Sequence, residues 1–170
     1  MSTAYIALGS NLGERTVNLK TALQRLAQTD RVAIGAVSAV FETAPVGGPE
    51  QQGSYLNACA AIVTELSPTQ LLLAMLDIEE KMGRVRDVHW GPRIIDLDLL
   101  LYGITIMNTP LLELPHPRMS ERDFVLVPLA AIAPDQIIPG LNQTVAMILA
   151  GRPENEDVKL FLPTGWHEIS

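Results

Sequence analysis

The stretch VAIGAVSAVF (residues 32–41), the loop TAPVGGPEQQG (residues 43–53) and the stretch YLNACAAIVTEL (residues 55–66) together decide the fold class. Both flanking stretches are rich in valine, isoleucine and alanine and partly alternate, which favours β-strands. The loop is rich in proline and glycine and has no helical pattern. Two strands joined without a crossover helix are typically antiparallel neighbours. We therefore predict an antiparallel pair.

A strand and a helix precede this pair. Residues 4–8 form a short apolar run that ends in GSNLG, and residues 15–26 carry apolar side chains at helical spacing. A second helix is predicted to begin after Ser67, because a serine cap, a proline and a glutamine three residues after the cap are typical of a helix start. It should continue to Met82 and stop at Gly83.

A strand containing two aspartates follows, and we predict a turn at residues 102–103 with a short partner strand at residues 104–107. Further helices are expected at residues 122–132 and 143–150. The order β-α-β-β-α-β predicts an α+β protein with a ferredoxin-like core, in which helices pack on a largely antiparallel sheet. Residues 1–170 are expected to form one domain, with the motifs in residues 4–135.

The composition of the chain narrows the classes of partner and the cellular location that we expect. The chain has 12 basic and 19 acidic residues, a net charge of -7, which argues against nucleic acid or a membrane surface as partner. The N-terminal residues lack a basic leader with a long apolar core, so we expect a cytoplasmic protein. Cys59 is the single cysteine and is flanked by alanines, which indicates a small core residue.

The acidic pair lies in RIIDLDLLLYG (residues 93–103). In a strand, residues two apart share a face, with Cα atoms about 6.6 Å apart, so Asp96 and Asp98 point the same way. The opposite face, toward a core, is predicted to hold Ile95, Leu97, Leu99 and Leu101. Such a pair of carboxylates suits Mg²⁺, which is commonly bound by one or two carboxylates together with phosphate oxygens of a substrate. The alternative is a solvated edge strand kept soluble by its charges.

Basic residues precede this pair. Arg84, Arg86 and Arg93 flank or lie in RDVHWGPR (residues 86–93). Arginines that clamp phosphates beside carboxylates that hold Mg²⁺ are typical of phosphoryl transfer. The alternative is a loop of solvated arginines. The GSNLG turn lacks the Gly-Lys-Ser/Thr ending of a Walker A loop, and the three histidines are too scattered for a zinc site.

Aromatic and amide side chains suggest a flat heterocyclic ligand. Tyr55 and Asn57 share a strand face, where the ring can stack on a ligand and the amide can bond its edge. Phe124 offers a second stacking surface. For each aromatic, the alternative is packing in the core.

The motifs AYIALGSNLG, ETAPVG, YLNA, GRVR, WGPRIIDLDLLLYG and PHPRMSERDFVLVPL occur in order over residues 4–129. Together they resemble the 6-hydroxymethyl-7,8-dihydropterin pyrophosphokinase family of folate biosynthesis. The resemblance implies a cytoplasmic monomer that transfers pyrophosphate from ATP, its co-substrate, to the hydroxymethyl group of the pterin and releases AMP.

The resemblance also assigns roles to residues. Two Mg²⁺ ions would bind Asp96 and Asp98, and Tyr55 and Phe124 would sandwich the pterin. The implied catalytic residues are Arg84, Arg93, Asp96 and Asp98. The implied pterin-binding residues are Thr43, Ala44, Pro45, Val46, Tyr55, Asn57, Trp90, Asp96 and Phe124. The implied ATP-binding residues are Leu72, Glu79, Arg84, Trp90, Arg93, Leu99, His116 and Arg122.

Two other classes of function stay open on the residues alone. A ferredoxin-like binding module without catalysis would use Tyr55 and Asn57 but would not need the acidic pair. A sugar-nucleotide transferase also uses an Asp-x-Asp pair with a divalent ion.

Overall fold

The computed structural model describes residues 1–44, 53–83, 94–155 and 157–168. The first part of the chain forms β1 (Ser2–Ser10), α1 (Arg15–Ala27), β2 (Val32–Val37), β3 (Val40–Thr43), β4 (Tyr55–Thr64), α2 (Pro68–Lys81) and β5 (Asp96–Tyr102). The second part forms β6 (Met107–Asn108), β7 (Glu113–Leu114), α3 (Asp123–Ile132), β8 (Ile137–Ile138), β9 (Gln143–Thr144), α4 (Val145–Ala150) and β10 (Lys159–Leu162). Short 3₁₀ turns occupy Met119–Glu121 and Trp166–Glu168.

The main sheet has the order β10-β3-β4-β1-β5, with β2 also paired to β4. All of these pairs are antiparallel. If β2 and β3 are counted as one interrupted strand, β1, β2/β3, β4 and β5 form four antiparallel strands. With α1 and α2 they have the β-α-β-β-α-β order of the ferredoxin-like fold. The predicted α+β class and the antiparallel pairing of residues 32–66 are confirmed.

The sheet separates two apolar cores, because alternate residues of each strand face opposite sides. One core lies between the sheet and the helices α1 and α2, and includes Ile6, Leu8, Leu19, Leu71 and Met75. The other lies between the sheet and α3, and includes Cys59, Leu100, Val125, Leu126 and Leu129. The site described below opens on the α3 side.

The predicted cap of α2 is confirmed. The Gln70 backbone N–H donates to Ser67 Oγ at 3.1 Å, and the Ser67 N–H donates to Gln70 Oε1 at 2.9 Å. Gly83 follows the helix with a positive φ of 87°, a conformation that glycine adopts without steric cost. The helix ends where the sequence predicted.

Two predictions about the acidic strand are wrong in detail. Leu101 faces the α3 core rather than the opposite one, since a bulge shifts the register so that Tyr5 pairs with Leu101 while Ile6 pairs with Leu99. The extra residue of the bulge reverses the alternation, so the side chains at the end of β5 face the opposite sides of the sheet from those expected. The expected partner strand at residues 104–107 also does not pair with β5. Instead β6 pairs with β7 in a separate two-stranded sheet.

The end of the described chain completes the sheet, which the sequence did not predict. Strand β10 pairs with β3, and the ring of Trp166 is buried in the core beside α1 and α2. Its Nε1–H donates to the Ser38 carbonyl oxygen at 2.8 Å, at the interruption between β2 and β3. Within the described ranges, no helix has the length and apolar character needed to cross a bilayer.

Candidate active site

A cavity of about 660 Å³ opens on the α3 side of the sheet. Its floor is made by β1, β4 and β5, and its walls by the start of α3 and by the segment between α4 and β10. The lining residues are Ala7, Leu8, Gly9, Thr43, Ala44, Tyr55, Asn57, Ala58, Asp96, Asp98, Arg118, Glu121, Arg122, Asp123, Phe124, Val125, Arg152, Asn155, Asp157 and Val158.

Strand register places the polar floor residues in rows. Gly9 pairs with Asn57 on one side and with Asp96 on the other. Ala7 lies in the same way between Cys59 and Asp98. Directly paired residues point to the same face, so each aspartate lies beside a very small residue of β1. This leaves open space above the centre of the floor.

Gly9 keeps that space free. A Cβ atom at this position would lie 3.5 Å from Asn57 Oδ1 and 3.6 Å from Tyr55 Cδ1, which is ordinary van der Waals contact. An alanine would therefore fit the fold, but its methyl group would stand in the cavity among the groups predicted to bind the heterocycle.

The two aspartates share a face, as the alternation predicted. Both are half-buried and line the cavity, while Leu97 between them is buried in the opposite core. The Leu97 N–H donates to Glu79 Oε2 at 2.8 Å, which ties β5 to α2. The bond to Glu79 thus fixes β5 on the α2 side of the sheet, while Asp96 and Asp98 line the cavity on the other side.

Asn57 and Thr43 form a buried polar pair on the floor. Asn57 Nδ2 donates to Thr43 Oγ1 at 2.9 Å, and the two residues are 6% and 7% exposed. This bond orients the amide of Asn57. Tyr55, two residues earlier on the same face of β4, is half-buried and lines the same cavity.

The start of α3 supplies the facing wall. Phe124 lines the cavity, and the guanidinium carbon of Arg122 lies 5.6 Å from the centre of its ring. This distance is within the range of a cation–π contact. The predicted stacking residues Tyr55, on the floor, and Phe124, on the α3 wall, therefore line the same cavity.

His116 lies next to these groups without lining the cavity. Burial and the positive charges of Arg122 and Arg118 lower the pKa of His116 to about 4, although Asp96 acts in the opposite direction. Its Nδ1 accepts from the Arg118 N–H at 3.3 Å, and its own backbone N–H donates to the Leu100 carbonyl. His116 is therefore neutral near pH 7, with Nε2 as the protonated nitrogen.

We expect His116 of the ligand-free protein to titrate with a midpoint of about 4. NMR titration of its ring protons, assigned by comparison with His116→Gln, should show no change between pH 8 and about pH 5.5. A midpoint near the ordinary histidine value would contradict the described burial and its charged neighbours.

Other predicted residues lie elsewhere. Leu72, Glu79 and Leu99 are on the α2 side of the sheet, where Glu79 is 1% exposed, and they do not line the cavity. Ala44 is exposed at the rim. Five predicted site residues lie outside the described residues: Pro45, Val46, Arg84, Trp90 and Arg93.

The sequence missed part of the lining. Arg118 and Glu121 belong to the PHPRMSER motif, which indicated a functional loop without assigning them. Four more lining residues come from the tail, the chain after residue 134, which carries no recognisable pattern: Arg152, Asn155, Asp157 and Val158. Only the path of the chain from α4 to β10 brings these four residues to the cavity.

Cys59 is a core residue, as predicted. It is fully buried, and its thiol donates to the Val125 carbonyl at 3.7 Å. Burial, with a smaller contribution from the charge of Asp98, raises the pKa of the Cys59 thiol well above its usual value. A thiol held in this form is not a nucleophile.

Comparison with known proteins gives a consistent result. A family model described as 7,8-dihydro-6-hydroxymethylpterin-pyrophosphokinase (HPPK) matches residues 5–134. A 2-amino-4-hydroxy-6-hydroxymethyldihydropteridine pyrophosphokinase of Methylorubrum extorquens is 47% identical over 150 residues, which cover 88% of this chain and 93% of the relative. The enzyme of the same name from Haemophilus influenzae is 41% identical, over 94% of this chain and 99% of its own.

Among solved structures, the chain is similar to wild-type Plasmodium falciparum HPPK-DHPS with pteroate, with a TM-score of 0.72 and 14% identity. The match covers 94% of this chain, which spans less than half (47%) of that longer chain. At this identity the likeness concerns the fold, and it agrees with the ferredoxin-like arrangement described above.

Proposed function

The chain belongs to the 7,8-dihydro-6-hydroxymethylpterin-pyrophosphokinase family, and we propose that it transfers the pyrophosphoryl group of ATP to the hydroxymethyl group of 6-hydroxymethyl-7,8-dihydropterin in folate biosynthesis. The observation that carries the proposal is that one cavity holds both an acidic pair and a set of side chains suited to a flat heterocycle. We further propose that the protein acts as a cytoplasmic monomer.

The pterin would lie on the floor of the cavity. Tyr55 on the floor and Phe124 on the α3 wall both line the cavity and would stack on the two faces of its ring system. Asn57, oriented by its bond to Thr43, would bond the polar edge of the ring. The space above Gly9 would admit the ring next to Asp96, and Ala44, Pro45 and Val46 would complete the binding edge.

The acidic pair suits magnesium. Asp96 and Asp98 are hard oxygen ligands on one face, and among the described residues no group of three or more metal-binding side chains is found. Mg²⁺ is commonly held by one or two carboxylates, with phosphate oxygens and water as the other ligands, so the residues fit this ion. Two bound ions would neutralise the charge on the phosphate oxygens and so favour displacement at phosphorus.

Residues of this chain would also hold the nucleotide. Arg122 is at the cavity wall and offers its guanidinium to phosphate, and the neutral His116 offers Nε2–H as a hydrogen-bond donor. The remaining nucleotide contacts are proposed for Leu72, Glu79, Arg84, Trp90, Arg93 and Leu99. Arg84 and Arg93 are proposed to act on the transferred phosphates.

The reaction is a single displacement. The pterin hydroxyl oxygen attacks the β-phosphorus of ATP, and the bond from that phosphorus to the oxygen shared with the α-phosphate breaks. AMP leaves with that oxygen, and the hydroxyl proton is released. The protein's part is to align the hydroxyl with the phosphate chain and to exclude water, which would otherwise hydrolyse ATP.

The test is chromatography of the nucleotides and pterins after incubation with ATP, Mg²⁺ and 6-hydroxymethyl-7,8-dihydropterin. We expect AMP and a pterin pyrophosphate in equal amounts. Formation of ADP would instead mean transfer of a single phosphoryl group. Intact ATP, together with thermal protection by a sugar nucleotide, would favour the transferase alternative.

A further inference from the structure

The segment between α4 and β10 is tied to the start of α3 through Asp123. Arg152 Nε donates to Asp123 Oδ1 at 2.8 Å, and Asn155 Nδ2 donates to Asp123 Oδ2 at 2.8 Å. The side chain of Asp123 is 8% exposed and that of Arg152 is 31% exposed. A buried carboxylate with a separate donor on each oxygen is held much more firmly than a pair on an open surface.

Asp123 lies between two residues of the proposed substrate site. Arg122 precedes it and Phe124 follows it, and both line the cavity. Asp123 is also the first residue of α3, where a negative charge is favourable to the helix. Any shift of the Asp123 backbone therefore also moves Arg122 and Phe124, because the three residues are consecutive.

The tail has its own anchors, so it can act as a fixed support. Thr144 caps α4 by accepting from the Met147 N–H at 3.1 Å, and Val145 is fully buried. At the other end, Lys159 and Leu160 of β10 pair with Glu42 and Phe41 of β3. Four residues between these anchors line the cavity, namely Arg152, Asn155, Asp157 and Val158, and all four lie beyond residue 134, where the family match ends.

The ionisation of Asp123 agrees with this arrangement. Burial by itself would raise the pKa of its carboxyl group, but the hydrogen bonds from Asn155 and Arg152 outweigh burial and hold the pKa below its usual value. Asp123 is thus a carboxylate at neutral pH, and both donors have a charged acceptor.

From this geometry we propose that Arg152 is a positioning residue for the pterin, acting through Asp123 to place Phe124 against the ligand, and that the same link sets the position of Arg122, the proposed phosphate contact. Asn155 has the same role, because it donates to the second oxygen of the Asp123 carboxylate. The tail is then part of the substrate site, although it carries no motif. This inference rests on the proposed function, because it concerns how the pterin is held.

The experiment compares the affinity for 6-hydroxymethyl-7,8-dihydropterin, in the presence of Mg²⁺ and a non-hydrolysable ATP analogue, between wild type and Arg152→Ala. We expect Kd for the pterin to rise about tenfold or more. Binding of the ATP analogue alone should weaken by a smaller factor, because Arg122 is only one of its proposed contacts, and kcat at saturating pterin and ATP should change less than about threefold. Arg25→Ala, an exposed arginine on α1, is the matched control and should leave all three quantities unchanged.

A double-mutant cycle tests the route through Asp123. In an Asp123→Ala background, Arg152→Ala should raise Kd for the pterin by less than about twofold, because the contact it removes is already lost. If the full effect persists in that background, Arg152 does not act through Asp123 and the proposal fails. Asn155→Ala, a change at an exposed side chain, should raise Kd in the same direction even if Arg152→Ala does not fold.

The outcomes separate the two proposals. If wild type binds the pterin and both Arg152→Ala and Asn155→Ala bind it equally well, only the positioning role is overturned. If wild type itself does not bind the pterin, the proposed function is overturned and the positioning role with it.

Discussion

Asp96→Asn is expected to lower kcat for AMP formation by about 100- to 1,000-fold, the range typical of losing a group that stabilises charge in the transition state. The amide has nearly the shape of the carboxylate, so the floor of the cavity should keep its form. What is lost is the negative charge beside Gly9, where a magnesium ion would be held. Asp98→Asn should have an effect of the same order.

The measurement is steady-state AMP production at saturating ATP and pterin, with Mg²⁺ varied. We expect the Mg²⁺ concentration for half-maximal rate to rise in Asp96→Asn, while far-UV circular dichroism stays unchanged. Asp77→Asn is the matched control, since Asp77 is on the outer face of α2 in an ion pair with Lys81 at 2.9 Å. If Asp96→Asn works at half the wild-type rate or better, the acidic pair is not the metal site.

Trp166→Ala is expected to lower the free energy of unfolding by about 3–5 kcal/mol, the usual cost of removing a large buried aromatic side chain. The ring is 2% exposed, and its Nε1–H donates to the Ser38 carbonyl. Loss of the ring would leave a cavity beside α1. It would also remove the contact that joins the tail to the interruption between β2 and β3.

Urea unfolding followed by far-UV circular dichroism measures this change. Trp166→Phe keeps most of the packing but leaves the Ser38 carbonyl without this donor, so it should cost about 1–3 kcal/mol. Leu160→Ala, at a side chain 64% exposed on β10, is the control and should cost less than about 0.5 kcal/mol. A loss below about 1 kcal/mol for Trp166→Ala would contradict the structural role of the tail.

Local patterns predicted much of the fold. The cap at Ser67 and the stop at Gly83 depend on residues within one helical turn, and both were placed correctly. The antiparallel pair over residues 32–66 followed from the absence of a helix between two strands. Alternation likewise placed Asp96 and Asp98 on one face, because the period of a strand is a property of its own backbone.

Long-range pairing decided the rest. The bulge opposite Tyr5 and Ile6 turned Leu101 to the α3 side, and no residue near Leu101 signals this. The low pKa of His116 depends on burial and on Arg122, which come from tertiary packing.

The candidate site shows the same division. Its residue types could be read from the motifs, which contain Tyr55, Asn57, Asp96 and Phe124. Their common cavity, and the wall that Arg152 and Asn155 add to it, depend on strand register and on the path of the tail. The sequence by itself determined the element order and the chemistry of these side chains. Only the tertiary structure decided which of them meet, because contacts between distant segments depend on packing free energy summed over the whole chain.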